Sequence, residues 1–407
     1  MIYRPKENEV ICITEAGITK HNTDGSVETI VPEETELGIS AADKDGYDHF
    51  MLKEIHEQPD AIRRAASHRI NSDMLPDFST DGISEEFWHS FDSISIIACG
   101  SATHAGLVGR YVIEKLAGVP VTVNTASEYR YDPPAIVGKT LALAISQSGE
   151  TADTLAGLRL AKSQGHPTAA IINAVGSAIA READCVIYTG AGPEIAVATT
   201  KAYSAQLSTL YAFATELAFV KGKLGEEKYA ALIGELLSLP DKMAKTLQNK
   251  ERIQWFAARH ANARDIFFIG RGLDYAICLE GSLKMKEISY IHSEAYAVGE
   301  LKHGTISLVE NGTLIIGALT QKDVLEKTVS NMAECRARGA YLVGLAGESC
   351  QSLEAFADFC IFVPETDPHF MGSLAIIPLQ FLAYYTSVSK GLDVDKPRNL
   401  AKSVTVE

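Results

Sequence analysis

The apolar positions of this chain fall into a recurring order: a short apolar run, a turn rich in glycine or hydroxyls, then a stretch with helical spacing. Ile94 to Ala98 is the first strong run; it ends in Cys99-Gly100-Ser101 and gives way to a helical stretch reaching about Leu116. Val121-Thr122-Val123 reads as a short strand. Leu141 to Ile145 reads as another, closed by Ser146-Gln147-Ser148-Gly149 before a further helix. Ala169 to Ile172 and Cys185 to Tyr188 continue the strands, and the mostly apolar Thr200 to Lys221 predicts a long buried helix. The order then restarts. Ile266 to Ile269 is closed by Gly270-Arg271-Gly272, a helix covers Leu279 to Ile291, and Leu314 to Leu319 is closed by Thr320-Gln321. Tyr341 to Leu345 and Cys360 to Val363 follow. Strands alternating with helices predict parallel sheets covered on both faces. Cys99-Gly100 echoes Ile269-Gly270, Ser127-Glu128 echoes Ser293-Glu294, and Ser146-Gln147 echoes Thr320-Gln321. These echoes predict two copies of one α/β domain, joined near Pro240 to Arg252.

Ahead of this body, Val10 to Ile13 and Val27 to Val31 are strand-like, with Asp24-Gly25 as a turn between them. That piece is too small for a core of its own and reads as the margin of something larger. Asp45 to Arg69 reads as a connecting helix. At 407 residues the chain has room for two or three domains. Its net charge of −15 argues against non-specific binding to nucleic acid or an anionic membrane, though a local site can still oppose the global sign. Seven scattered cysteines without a C-x-x-C pair argue against a disulfide framework or a zinc site, and fit a reducing cytosol. Met1 to Glu9 is charged and does not read as a signal peptide. Pro368 to Ser389 lacks acidic and basic residues, but its Pro378, Gln380 and hydroxyls suit a loop and a buried helix rather than a membrane span.

The most informative stretch is Ser146 to Thr154. Hydroxyls, a glycine and an amide at a strand-to-helix turn can wrap a phosphate without lysine, because the helix N-terminus offers free N–H groups and partial positive charge. Serine and threonine are also ordinary helix caps. Cys99-Gly100-Ser101 sits at an equivalent strand end. A thiol there is more often a small buried hydrophobe than a nucleophile. Gly270-Arg271-Gly272 lacks the full dinucleotide fingerprint. Glu280, Lys284 and Glu287 share one helix face by spacing. They form either a solvated stripe or a general base, Glu287, held by an ammonium. His303, in Glu300 to Gly304, can open a sugar ring or simply hydrogen-bond in a loop. The tail from Asp395 to Glu407 mixes apolar and basic residues in a way that can pack, and a lysine in it can form an imine with a ketose if its amine is free.

At these residues the chain resembles the isomerase part of the glutamine–fructose-6-phosphate aminotransferases, the glucosamine-6-phosphate synthase family. The matching segments are SQSGETADT (Ser146 to Thr154), EISYIH (Glu287 to His292), GELKHG (Gly299 to Gly304) and DKPRNLAKSVTVE (Asp395 to Glu407); FMLKEIHEQP (Phe50 to Pro59) is similar to the family's interdomain linker. The resemblance implies an α/β fold of two duplicated sugar-isomerase (SIS) subdomains, each a parallel sheet flanked by helices in a flavodoxin-like three-layer sandwich. It implies an end of a glutaminase domain over 1–45 and a linker and connecting helix over 46–85. The subdomains would span 86–240 and 241–397, and a tail over 398–407 would close the site. It further implies that Ser101, Ser146, Gln147, Ser148 and Thr151 hold the sugar phosphate. Glu194, Val197 and Ala401 would contact the sugar, and Arg398 matches the tail arginine. Lys402 is the implied imine lysine for open-chain fructose 6-phosphate, Glu287 the base between C1 and C2, and Lys284 its support. His303 is the implied ring-opening histidine, reaching in from a neighbouring subunit, so a homodimer is expected. The implied product is glucosamine 6-phosphate with ammonia and glucose 6-phosphate without it. No metal or organic cofactor is implied, and a cytoplasmic location is expected.

Ala102 stands where many members have serine, and Thr305 where proline is common. Full-length members begin with a glutaminase domain bearing a terminal cysteine; here position 2 is Ile2 and no such domain is read, so the ammonia source is expected to lie outside this chain. Two other readings compete: a phosphosugar-binding SIS module without catalysis, and a related isomerase or amino-sugar-phosphate deaminase. A sensor needs the hydroxyl loop but not Glu287, His303 and Lys402 together, and the complete tail argues against the deaminase.

Overall fold

The computed structural model describes residues 3, 9–15, 17–31, 43–67, 69–70, 76–135 and 138–406. Most of the charged stretch from Met1 to Glu9, residues 32–42 and Glu407 lie outside the described residues. The chain divides into two units, residues 1–45 and residues 46–407.

The first unit contains an antiparallel sheet in the order β1 (Val10–Thr14), β2 (Gly17–His21), β3 (Val27–Thr29). The middle strand was not predicted. Only Ile18 in it is a large apolar residue, so no alternation marks it. It exists by pairing on both sides, with Val10 opposite His21 and Thr19 opposite Thr29. The Asp24-Gly25 turn therefore joins β2 to β3, and the Asp24 carboxylate accepts the Ser26 N–H at 2.9 Å.

The second unit opens with two helices, α1 (Phe50–His56) and α2 (Gln58–Ser67), in place of the single predicted one. Pro59 falls in the first turn of α2, where its missing N–H costs nothing, but it could not continue α1. The Asp395 carboxylate, far along the chain, accepts the N–H groups of Phe50 and Met51 at 2.9 and 2.8 Å and so caps α1. Arg69 is buried and its guanidinium grips both Asp81 oxygens, at 2.7 and 2.8 Å, ahead of α3 (Glu85–His89).

The first sheet is assembled from β4 (Ser93–Ala98), α4 (Ser101–Ala117), β5 (Val121–Thr125), α5 (Ala126–Tyr129), β6 (Thr140–Ser146), α6 (Ala152–Ser163), β7 (Thr168–Ile172), α7 (Ala178–Glu182) and β8 (Cys185–Tyr188). It is parallel throughout, in the order β5-β4-β6-β7-β8. Every residue of β6 and β7 is buried, which is why these strands read as continuous apolar runs. Three helices follow: α8 (Lys201–Val220), α9 (Glu226–Thr246) and α10 (Lys250–His260). The second copy comprises β9 (Asp265–Gly270), α11 (Leu273–Ser289), β10 (His292–Ala297), β11 (Leu314–Leu319), α12 (Leu325–Arg336), β12 (Tyr341–Gly347), β13 (Phe359–Val363) and α13 (Met371–Ser389). Its strand order, β10-β9-β11-β12-β13, repeats the first, again all parallel.

The duplication is therefore present, but its residue matching differs from the echoes. Gly100 precedes α4 with φ 56° and ψ −130°, and Gly272 precedes α11 with φ 60° and ψ −123°, so Gly100 corresponds to Gly272 rather than Gly270. Strand pairing sets Ile94 opposite Val121 and Ile266 opposite Ser293, so Ser293-Glu294 corresponds to Val121-Thr122, not Ser127-Glu128. The predicted joint, Pro240 to Arg252, lies between β8 and β9 and is helical. Pro240 lies inside α9, and only a short 3-10 turn, Leu247–Asn249, separates α9 from α10. Near the middle of the second unit, α4 packs on α8 and α11 on α13. Gly281 allows α11 to approach α13 so closely that a Cβ there would lie 2.6 Å from Leu379. Among the described residues α13 alone is long and apolar enough to cross a membrane, and 94% of its apolar window is buried inside the protein.

Candidate functional site

In an open parallel sheet of this order, the crevice lies at the carboxyl ends of the strands where the winding reverses, here between β4 and β6. A cavity of about 240 Å³ sits there, lined by the ends of both strands, the loop after each, and the C-terminal tail from Leu400 to Val404. Ser101, Ser146, Gln147, Ser148, Thr151, Val197, Glu287, Ala401 and Lys402 all line it. The structure thus brings most of the sequence-predicted site residues onto one cavity.

The hydroxyl loop is shaped by Gly149. Its φ is +65°, and a Cβ there would lie 1.9 Å from Ser177 Oγ. The Gly149 N–H donates to Ser146 Oγ at 3.0 Å, and the Ser146 and Thr151 hydroxyls lie 3.2 Å apart. The Glu150 N–H donates to Ser148 Oγ at 3.2 Å, which turns the chain into α6. Thr151 is the N-cap residue of α6 but makes no capping hydrogen bond with its side chain, so its hydroxyl stays on the cavity side. The tail closes over this loop: Ser403 Oγ lies 2.9 Å from Ser148 Oγ, and the Ala152 N–H donates to the Val404 carbonyl at 3.1 Å. Replacing Gly149 by alanine forces a side chain into a left-handed position that is already occupied. Gly149→Ala is expected to cost about 1–3 kcal/mol of stability from backbone strain alone. Chemical denaturation reads that cost.

Lys402 is seated by two contacts, donating to Glu194 Oε2 at 2.5 Å and to the Ala196 carbonyl at 2.8 Å. Glu194 is fully buried. Its other oxygen accepts the N–H groups of Thr200 and Ala202, at 2.9 and 3.0 Å. Burial works against its charge, but the Lys402 ammonium and these donors hold its carboxyl below the usual range. Glu54, on α1, was not anticipated. It accepts the N–H groups of Ile195 and Ala196 at 2.5 and 3.2 Å and so fixes the strand of chain that carries Glu194. Burial, reinforced by the Glu194 charge, pushes its carboxyl up to about 8.

On the far wall, the Glu280, Lys284 and Glu287 face is no solvated stripe. Lys284 and Glu280 have fully buried side chains, and Lys284 Nζ lies 3.3 Å from Glu280 and 2.5 Å from Glu287. Burial alone would depress the lysine; the two carboxylates instead hold it above its ordinary range. Glu280 also accepts from the Ser101 hydroxyl at 2.8 Å and lies 2.8 Å from His104 Nδ1. The buried cluster ties α4 of the first copy to α11 of the second and leaves Glu287 alone of the three on the cavity. Ser101 lines the cavity, yet its hydroxyl is committed to Glu280 and accepts from Lys284 at 3.1 Å.

Four predicted residues do not line the cavity: Glu194 and Lys284 lie buried behind it, against Lys402 and Glu287, and two others stand outside. His303 ends a 3-10 turn, Val298–His303, is exposed, and does not line the cavity. Arg398 is exposed too, its guanidinium stacked 4.2 Å above the Tyr290 ring and its N–H donating to the Tyr290 hydroxyl at 2.8 Å. Sequence reasoning also passed over Thr199 and Gln206, which line the cavity. Gln206 lies one turn into an apolar helix and carries no local signal. Cys99 lines the cavity as well, but burial raises its thiol, outweighing the opposite effect of the hydrogen bond that Thr154 donates at 3.7 Å, and leaves it a poor nucleophile. Among the described residues no group of three or more His, Cys, Asp or Glu is placed to hold a metal ion.

Two copies of one doubly wound parallel sheet, the first with a hydroxyl loop and a buried acid–base cluster at its switch point, define a duplicated α/β protein with a cavity at that point. The SIS domain profile matches residues 88–216 and 261–390. The chain is 54% identical over 374 residues to the glutamine–fructose-6-phosphate aminotransferase [isomerizing] of Caldanaerobacter subterraneus subsp. tengcongensis, covering 92% of this chain and 62% of that protein. It is 51% identical over 409 residues to the same enzyme of Clostridium tetani, covering 100% of this chain and 67% of that protein. The C-terminal domain of glucosamine-fructose-6-phosphate aminotransferase from Francisella tularensis superposes with a TM-score of 0.85 at 38% identity, covering 87% of this chain and 100% of that domain. The chain belongs to the SIS family and, within it, to the isomerizing glutamine–fructose-6-phosphate aminotransferases. It spans 62% and 67% of the length of those two full-length relatives.

Proposed function

We propose that this chain carries the isomerase and amination chemistry that its relatives' names describe. It takes fructose 6-phosphate to glucosamine 6-phosphate when ammonia is supplied, and to glucose 6-phosphate when it is not. The observation that carries the reading is the opening of the Ser146 to Thr151 loop, Lys402 and Glu287 onto one cavity. The loop and the α6 N-terminus anchor the phosphate, so binding energy positions the reacting carbons. Val197 and Ala401 border the sugar, whereas Glu194, expected to contact it, lies buried behind the cavity and holds Lys402 instead.

The Lys402 amine adds to the C2 carbonyl of the open-chain ketose and water leaves, forming an imine. Its ammonium must first shed a proton, which the contact with Glu194 opposes, so the entering substrate has to break that contact. Ammonia then displaces the lysine. Glu287 removes a C1 proton, the electron pair forms an enamine, and the proton returns at C2 as C1 becomes the aldehyde. Lys284 holds the Glu287 carboxylate in place through the transfer. His303 is exposed outside its own cavity, which suits a role in ring opening at the site of a second copy, and so a homodimer. Arg398 steadies the tail through Tyr290. The free cysteines fit a cytoplasmic location.

Incubation of the chain with fructose 6-phosphate alone, with ammonium, and with glutamine tests the reading. Glucose 6-phosphate in the first mixture and glucosamine 6-phosphate in the second are expected. If the phosphosugar binds but neither product forms, the chain is a binding module instead.

A further inference from the structure

The duplication allows the first copy's site to be compared, residue by residue, with its counterpart in the second. Gly100 and Gly272 hold the same place and backbone conformation, so Ala102 on α4 corresponds to Asp274 on α11. Pairing sets Ile97 opposite Ala144 in one sheet and Ile269 opposite Gly317 in the other, so Gln147-Ser148 corresponds to Thr320-Gln321. In the first copy Ala102, Gln147 and Ser148 face an open cavity. In the second copy the space between the same elements is filled from within. The Asp274 carboxylate accepts the Thr320 hydroxyl at 2.5 Å and the Thr320 and Gln321 N–H groups at 2.9 and 3.2 Å. Asp274 is 2% exposed, and Gln321 is itself locked by donating to the Pro368 carbonyl at 3.1 Å. Among the described residues no cation hydrogen-bonds to the carboxylate; the donors are hydroxyl and backbone, the set that would cradle a phosphate or a small carboxylate.

We infer that Asp274 is a built-in anion occupying the second repeat's phosphate cradle, so that this repeat is a closed copy of the first repeat's site and one phosphosugar binds per chain. The inference rests on the reading that the Gln147-Ser148 loop holds a phosphate. Burial pushes the Asp274 carboxyl up to about 6, as expected of an anion held by neutral donors alone. Without Asp274, the Thr320 and Gln321 donors are left buried and unpaired, a state that an added anion relieves.

Asp274→Ala gives the second repeat the residue that the first already has. Calorimetric titration with inorganic phosphate should gain one site per chain over the wild-type protein. Sodium acetate, compared with sodium chloride at equal ionic strength, should raise the variant's unfolding temperature by several degrees more than it raises the wild type's, whose first-repeat cradle is already open. The gain between the two proteins is the readout, so it stands even if the first repeat binds no phosphate and the functional reading fails. Asp274→Asn keeps the space filled and should gain no phosphate site. If Asp274→Ala folds poorly, its refolding yield with acetate against chloride reads the same property. No gained site and no acetate response, or a yield indifferent to the anion, would overturn the inference.

Discussion

Lys402→Ala is expected to lower glucosamine 6-phosphate formation by about a thousandfold or more, because the covalent step has no substitute nucleophile at that place. Among the described residues, Lys402 is the one lysine lining the cavity. Lys284, on the wall that carries Glu287, has a fully buried side chain and is bound between two carboxylates. Fructose 6-phosphate affinity should change far less, since the loop from Ser146 to Thr151 and its glycine are untouched. The alanine variant alone would not separate chemistry from tail docking, because the Lys402 contacts with Glu194 and Ala196 also help hold the tail. Lys402→Arg makes that separation. A guanidinium can keep the ion pair with Glu194, but it stays charged and forms no imine. Steady-state kinetics should therefore show kcat collapsing in both variants. KM should stay near the wild-type value in the arginine variant. Borohydride trapping should label the wild-type chain with the sugar and neither variant. Substantial turnover by Lys402→Arg would remove the imine from the mechanism.

The parts of this fold that were legible in the sequence are those buried on both faces. β6 and β7 have no exposed position, so their apolar runs stand out whatever surrounds them. The edge strand β10 does not: it pairs only with β9, and its Ser293, Glu294 and Tyr296 show no apolar alternation. The same holds for β2, made by its partners rather than by its residues. Helix limits failed where a cap comes from afar, as at α1, whose N–H groups are satisfied by Asp395. The site was legible where function crowds unusual residues into a few positions, as in Ser146 to Thr151 or the tail. It was not legible where a residue acts through the fold. Glu54 reads as part of a linker, and nothing near it announces that its carboxylate holds the chain bearing Glu194. Glu280 and Lys284 were found by spacing, but spacing cannot distinguish a wet face from a buried one; the packing of α11 against α4 and α13 decides that.

The burial of that face makes Lys284→Met the most destabilising change expected here. Methionine replaces the lysine's length with an apolar chain, so little volume is lost. What remains is Glu280 with no exposed side-chain surface and no cation beyond what His104 can supply. Breaking a buried pair by removing one partner costs about 3–5 kcal/mol, because the other charge is stranded. The pH dependence identifies the cause. In the wild type, burial opposes the Glu280 charge, but the Lys284 ammonium holds its carboxyl below the ordinary range. That contribution is present above the unfolded carboxyl's pKa and is lost as pH falls through the folded value. In the variant the ammonium is gone and burial dominates, so the carboxyl rises above its unfolded value and the penalty grows as pH rises through that window. The difference in unfolding free energy between the two proteins should therefore be largest near neutral pH and shrink toward acid, where Glu280 is protonated in both. A double change, Glu280→Gln with Lys284→Met, should recover much of the loss at neutral pH, since no charge is then stranded. Isomerisation should not return with the stability, because Glu287 would still lack the ammonium that holds it. A deficit that is the same at every pH, or that the double change fails to relieve, would mean that lost packing, and not the stranded carboxylate, accounts for the effect.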